Sequence, residues 1–166
     1  MYDFDTVVDR RNTGSLKWDV AENELPMWVA DMDFKTAPQI IEAISARVSH
    51  GVFGYSIIPD EWNDAYISWW DRRHGLKIER DSLIFCTGVV PAISSTVRKL
   101  TTPGENVLIM TPVYNIFFNS IFNNGVNVQE SPLGYENGRY FVDYDRLEHD
   151  LSNPQTSLMI FCNPHN

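Results

Sequence analysis

The sequence predicts an α/β protein, a mostly parallel sheet between two helical layers. Three observations predict it. Short apolar runs at Ser82 to Cys86, Val107 to Met110, Val126 to Gln129 and Leu158 to Cys162 alternate with segments of helical periodicity. The runs are almost continuously apolar, as strands covered on both faces must be. Polar or glycine-bearing turns follow them, at the strand ends where open α/β sheets place ligand contacts.

Each element has its own local reason. Residues 1–35 read as an irregular arm, turn-rich around Arg10 to Gly14. A helix then follows Thr36, its expected cap, with Pro38 in the first turn. Ile40, Ile41, Ile44 and Val48 recur at helical spacing, and Gly51 ends the helix. A second helix runs from Pro59-Asp60-Glu61 to about Arg73, with Trp62, Tyr66, Trp69 and Trp70 as its apolar face and Gly75 as its stop. After the strand Ser82 to Cys86, Thr87 to Val90 reads as a turn and Pro91 to Leu100 as a helix. The strand Val107 to Met110 follows the Pro103-Gly104 turn, and a helix at Asn115 to Phe122 follows the break at Thr111-Pro112. Beyond the strand Val126 to Gln129, Asn137-Gly138 marks a hairpin between Leu133 and Tyr140. A helix at Asp143 to Leu151 and the strand Leu158 to Cys162 complete the pattern.

The composition narrows function. The chain has 166 residues, 43% hydrophobic and 13% aromatic, enough to build a core. A net charge of −9 argues against nucleic acid, whose phosphates need a basic face. Cys86 and Cys162 lie in apolar runs without metal spacing, so they read as buried thiols of a reducing compartment. The four histidines are scattered, so no metal site is expected. The acidic start does not read as a signal peptide and no apolar stretch reaches spanning length, so the expected setting is cytoplasmic, away from membranes.

Four segments offer chemistry. Thr87-Gly88-Val89-Val90-Pro91-Ala92 joins a strand to a helix, whose start carries free N–H groups and the positive dipole end. This is a cradle for phosphate, although it is neither a Walker loop nor GxGxxG, and most such turns hold nothing. Tyr114, just past a strand end, could stack on a planar ligand; a core tyrosine explains it as well. Gly51 to Tyr55 lets backbone approach another group closely, or simply caps a helix and packs. Asn163-Pro164-His165-Asn166 offers uncharged donors to a ligand oxygen. Three of the four segments converge at carboxyl ends of expected strands.

These segments carry a family resemblance. Leu25-Pro26-Met27-Trp28-Val29-Ala30-Asp31-Met32-Asp33-Phe34, followed in order by Gly51 to Tyr55, Thr87 to Ala92, Thr111 to Tyr114 and Cys162 to Asn166, resembles the N-terminal portion of pyridoxal-phosphate (PLP) enzymes of aspartate-aminotransferase fold type I. Within them the chain is most similar to the MalY/PatB-type cystathionine β-lyases, and the likeness covers essentially all of it. The resemblance implies that Gly88, Val89 and Val90 hold the PLP phosphate and that Tyr114 stacks on the pyridine ring. It implies that Asn166 binds the 3′-oxygen and that Tyr55 reaches the phosphate of the partner's site across a homodimer. It also implies that Trp28 to Asp31 lie near the substrate, with the Ala30 backbone the best candidate. Residues 1–48 would form the arm and first helix of the small domain and its dimer contacts. Residues 49–166 would begin the PLP-binding large domain.

The implied activity is a C–S β-lyase, splitting cystathionine or another L-cysteine S-conjugate into thiol, pyruvate and ammonia. The alternatives are a class I/II aminotransferase on the same fold, or a non-catalytic PLP-binding or dimer-partner fragment. The family's Schiff-base Lys, the Asp that pairs with the pyridine nitrogen and the Arg that clamps the substrate carboxylate would all lie beyond Asn166. Lys17, Lys35, Lys77 and Lys99 do not stand where that Lys is expected. The expectation is therefore a fragment of a longer enzyme, inert by itself, with no catalytic residue of its own.

Overall fold

The apolar run around Val107 becomes the central strand of the molecule. In the computed structural model, which describes residues 2–166, β1 (Asn106–Thr111) lies between β2 (Asn127–Pro132) and β5 (Thr156–Ile160), all parallel. Asn106 stands opposite Asn127 in one neighbour, and Val107 opposite Leu158 in the other. Residues Val107 to Thr111 are all buried, as a strand flanked by two others and covered on both faces requires.

Alternation along β1 sorts its side chains onto two faces. Val107 and Ile109 meet Val97 of α3 (Val89–Leu100), Phe117 and Ile121 of α4 (Ile116–Phe122) and Val126 in one apolar cluster. Leu108 points the other way. On that side Gln129, its register partner, donates from Nε2 to the Asp150 carbonyl of α5 (Tyr144–Leu151) at 2.6 Å. The sheet is thus covered on both faces, in three layers. Ile109 and Ile121 are fully buried, worth about 1.5–3 kcal/mol each.

The hairpin forms as expected. β3 (Gly134–Glu136) pairs antiparallel with β4 (Arg139–Phe141) across Asn137 (φ 50°) and Gly138 (φ 78°), the two positive-φ residues of a type I′ turn. Gly134 is equally constrained, since a Cβ there would overlap the Phe141 ring. Asp143 caps α5, accepting from the Arg146 N–H at 3.0 Å.

The structure divides into two compact units, one ending at Ile57 and one spanning Ile58–Asn166. The first contains α1 (Pro38–His50), closed by Gly51 as expected. The second opens with α2 (Asp60–His74), closed by Gly75. Along α2 the aromatic face packs largely on itself. Trp62 stacks on Tyr66 at 5.7 Å and meets Phe85 edge-on at 5.4 Å. Arg80 ties down the helix start through Asp60 at 2.8 Å and through Asp64. No helix among the described residues is long and apolar enough to cross a membrane.

Several expectations are corrected. Ser82 to Cys86 is not a strand: Arg80–Ser82 is a 3-10 turn, and the rest is extended without a ladder partner. A strand exists only through its neighbour's hydrogen bonds, and the three-stranded sheet is made without this segment. Cys86 is therefore exposed, and Cys162, past the end of β5, is only half-buried. Thr36 caps nothing; Ala37 holds the N-cap position of α1, without a side-chain hydrogen bond. Val89 and Val90 form the first turn of α3 instead of a turn before it, because Pro91 is tolerated before the helix needs its N–H.

Candidate functional site

Parallel pairing brings the carboxyl ends of β1 and β5 side by side, and the chain leaves both on the same edge. Two hydrogen bonds join the exits. The Tyr114 N–H donates to the Asn166 carbonyl at 2.6 Å, and His165 Nε2 lies 2.6 Å from the Pro112 carbonyl. A cavity of about 650 Å³ opens there, lined among others by Tyr114, Asn166, His165, Leu133, Tyr140 and Phe141. Its size and mainly apolar walls suit a small planar ligand. The Tyr114 ring is 42% exposed and braced edge-on by the buried Phe117 at 5.9 Å and 81°. That leaves a ring face for stacking. Asn166 spends its backbone carbonyl on Tyr114, so its side-chain amide is not consumed by that contact.

The segment expected to cradle phosphate lies at the start of α3. Gly88 is extended (φ 165°, ψ 167°), and the first helical bond runs from the Ala92 N–H to its carbonyl at 3.2 Å. The N–H groups of Gly88, Val89 and Val90 therefore precede the helix's own acceptors, and Pro91 has none to offer. Val89 is 74% exposed and Val90 41%, so solvent or an anion can reach them. The structure brings Tyr114 and Asn166 onto one cavity; Gly88, Val89 and Val90 do not line it.

The remaining expected residues belong to the N-terminal unit. Ala30 is exposed and Tyr55 is fully so. The segment around Ala30 is held by a knot of charge. Asp33 takes Lys17 Nζ at 2.8 Å, Trp18 Nε1 at 2.8 Å and Arg10 at 2.7 Å. Arg10 also pairs with Asp31 at 2.6 Å, and Lys17 donates to the Asp31 carbonyl at 2.8 Å. The hydrogen bonds from Lys17, then Trp18 and Arg10, hold the Asp33 carboxyl well below the usual carboxylate range. Asp33 and Asp31 in turn raise the Arg10 guanidinium. Arg11 reaches the carbonyls of Val20, Ala21, Glu22 and Glu24. Asp31 and Asp33 thus fix the backbone on both sides of Met32.

Sequence reasoning missed part of the cavity. Tyr140 and Phe141 belonged to a correctly expected hairpin, yet nothing local ties that hairpin to the sheet edge. His165 was legible only as a member of the Asn-Pro-His-Asn segment; its contact with Pro112, 53 positions away, is tertiary.

Known proteins similar to this chain fall in one family. The family described as Aminotransferase class I and II matches residues 22–166. Cystathionine beta-lyase PatB of Bacillus subtilis is 41% identical over 98% of this chain and 44% of its own length. Protein MalY of Escherichia coli is 36% identical over 100% of this chain and 44% of its own. The structure of cystalysin from Treponema denticola, which contains a pyridoxal 5′-phosphate cofactor, superposes with a TM-score of 0.91. It is 37% identical over 100% of this chain and 44% of the cystalysin chain. A PLP-bound C-S lyase from Staphylococcus hominis, complexed with L-cycloserine, superposes with a TM-score of 0.90. It is 32% identical, over 99% of this chain and 44% of that one. The chain thus spans less than half the length of the relatives it matches.

Proposed function

The chain belongs to the aminotransferase class I and II family, and from that premise we propose that it supplies the N-terminal part of a PLP-dependent C–S β-lyase. The substrate is cystathionine or another L-cysteine S-conjugate, and the products are a thiol, pyruvate and ammonia. The observation that carries the reading is the shared cavity of Tyr114 and Asn166 at the carboxyl ends of β1 and β5. The residues fit PLP chemically: the cavity offers an open aromatic face and an uncharged amide donor, and the α3 start, outside that cavity, offers unbonded N–H groups.

When bound, PLP supplies the electron sink for removing a β-substituent from an amino acid. The chain's own residues bind and orient. The N–H groups of Gly88, Val89 and Val90 hold the phosphate with the help of the helix dipole. Tyr114 would stack on the ring of the cofactor, and the Asn166 amide would donate to its 3′-oxygen. Ala30, steadied by the Asp31 and Asp33 ties, presents backbone to the substrate. Tyr55 serves the partner's site in a cytoplasmic homodimer. Residues 1–48 then belong to the small domain and dimer contacts, and residues 49–166 to the large domain. The proton-moving Lys belongs to sequence beyond Asn166, so residues 1–166 alone are inert.

An aminotransferase is the second reading, favoured by the family match itself. The intact protein that carries this chain separates the two. The lyase releases pyruvate from cystathionine without an added keto acid; a transaminase releases none until one is supplied. Residues 1–166 alone should show no yellow band that borohydride bleaches, and such a band would place the reactive amine among their lysines.

A further inference from the structure

The two exits at the sheet edge are fastened by a residue for which the proposed function has no role. We propose that His165 is a positioning residue: its Nε2–H, donated to the Pro112 carbonyl, sets where the Tyr114 ring stands in the cofactor cavity. This rests on the PLP reading of that cavity.

The geometry makes the case. Pro112 and Tyr114 are two residues apart on the exit from β1, and His165 and Asn166 are neighbours on the exit from β5. The His165–Pro112 and Tyr114–Asn166 contacts, both 2.6 Å, form a double clip between the same two short segments. One clip member, Asn166, and the residue it holds, Tyr114, both face the cavity, and so does His165. Among the described residues, the one aromatic ring paired with Tyr114 is Phe117, edge-on at 5.9 Å, on the same exit from β1. The clip adds a tie from the β5 exit that Phe117 does not give.

Chemistry explains the choice of side chain. Pro112 offers only an acceptor, so Nε2 must carry a proton, and both neutral and charged imidazole satisfy this. A glutamine amide can reach and donate in place of Nε2; phenylalanine fills the volume but donates nothing.

The test uses the intact protein loaded with PLP, comparing wild type with His165→Phe and His165→Gln. PLP affinity and the circular dichroism of the cofactor band are measured on each. His165→Phe should weaken PLP about three- to tenfold, the span of one net hydrogen bond, and reduce the cofactor dichroism. His165→Gln should restore both to within about twofold of wild type. If His165→Phe does not fold, His165→Met, also donor-free, takes its place. Equal affinity and dichroism in all variants would overturn the role of His165 while leaving the PLP reading intact. Failure of wild type to bind PLP would overturn both.

Discussion

The unit ending at Ile57 and the unit from Ile58 are held by different physics. In the first, Pro26 is the only buried residue described, and order comes from Arg10, Lys17 and Trp18 converging on Asp33 while Arg11 gathers four backbone carbonyls. In the second, Val107 and Ile109 of β1 pack against Val97 and Ile121 on one face, and Leu108 is fully buried on the other. A core of overlapping contacts spreads its stability over many residues. A polar knot concentrates it in a few, with exact geometry. The proposed division of labour follows: the cofactor contacts rise from a rigid sheet edge, and the substrate-facing backbone hangs from a small set of charges.

The largest expected effect tests the apolar half. Ile109→Ala should cost the second unit about 3 kcal/mol, because a sealed central strand cannot collapse onto the space. Chemical denaturation would show it, and a cost near zero would mean that β1 does not carry the core. Asp33→Ala is the corresponding blow to the first unit. Limited proteolysis should accelerate between residues 10 and 33, while the melting of the second unit stays unchanged. Cleavage spread evenly over the chain would contradict a local knot.

Acid sharpens the same contrast. Asp33 has a depressed carboxyl in the folded chain against 3.8 for a free one, so its stabilisation is complete above about pH 4. It is lost as pH falls through the folded value. The Trp18 indole N–H resonance should hold its position down to about pH 4 and shift only at stronger acid. A shift centred at pH 5 or above would mean the hydrogen bonds to Asp33 are absent.

Two helix starts give the smallest effects. Asp143→Ala should destabilise α5 by about 1 kcal/mol, since its carboxylate accepts from the Arg146 N–H. Thr36→Ala should change stability by less than about 0.5 kcal/mol, because Thr36 bonds nothing at the start of α1. Equal losses at the two positions, measured by thermal melting, would restore Thr36 as a cap.

Local chemistry made much of this molecule legible in its sequence. Periodicity and capping residues placed the five helices within a few positions, Asn137-Gly138 placed the hairpin, and the apolar runs placed the three paired strands. Tyr114 and Asn166 stood out because open sheets gather ligand contacts at strand ends, and the structure brings the two onto one cavity; Gly88 to Val90 were expected after a strand that does not form, and they open α3 instead. What remained hidden depends on partners far along the chain. Leu83 to Cys86 has the composition of a strand, but a strand needs a neighbour, and composition cannot supply one. Cys86 is exposed for the same reason. The Asp33 knot draws on residues up to 23 positions away, and the His165–Pro112 clip on residues 53 apart. The sequence by itself determined which segments could be helix, strand or turn, because those preferences are set within a few residues. Only the tertiary structure decided which strands found partners and which side chains closed the site, because hydrogen bonds between distant segments exist only once the fold has brought them together.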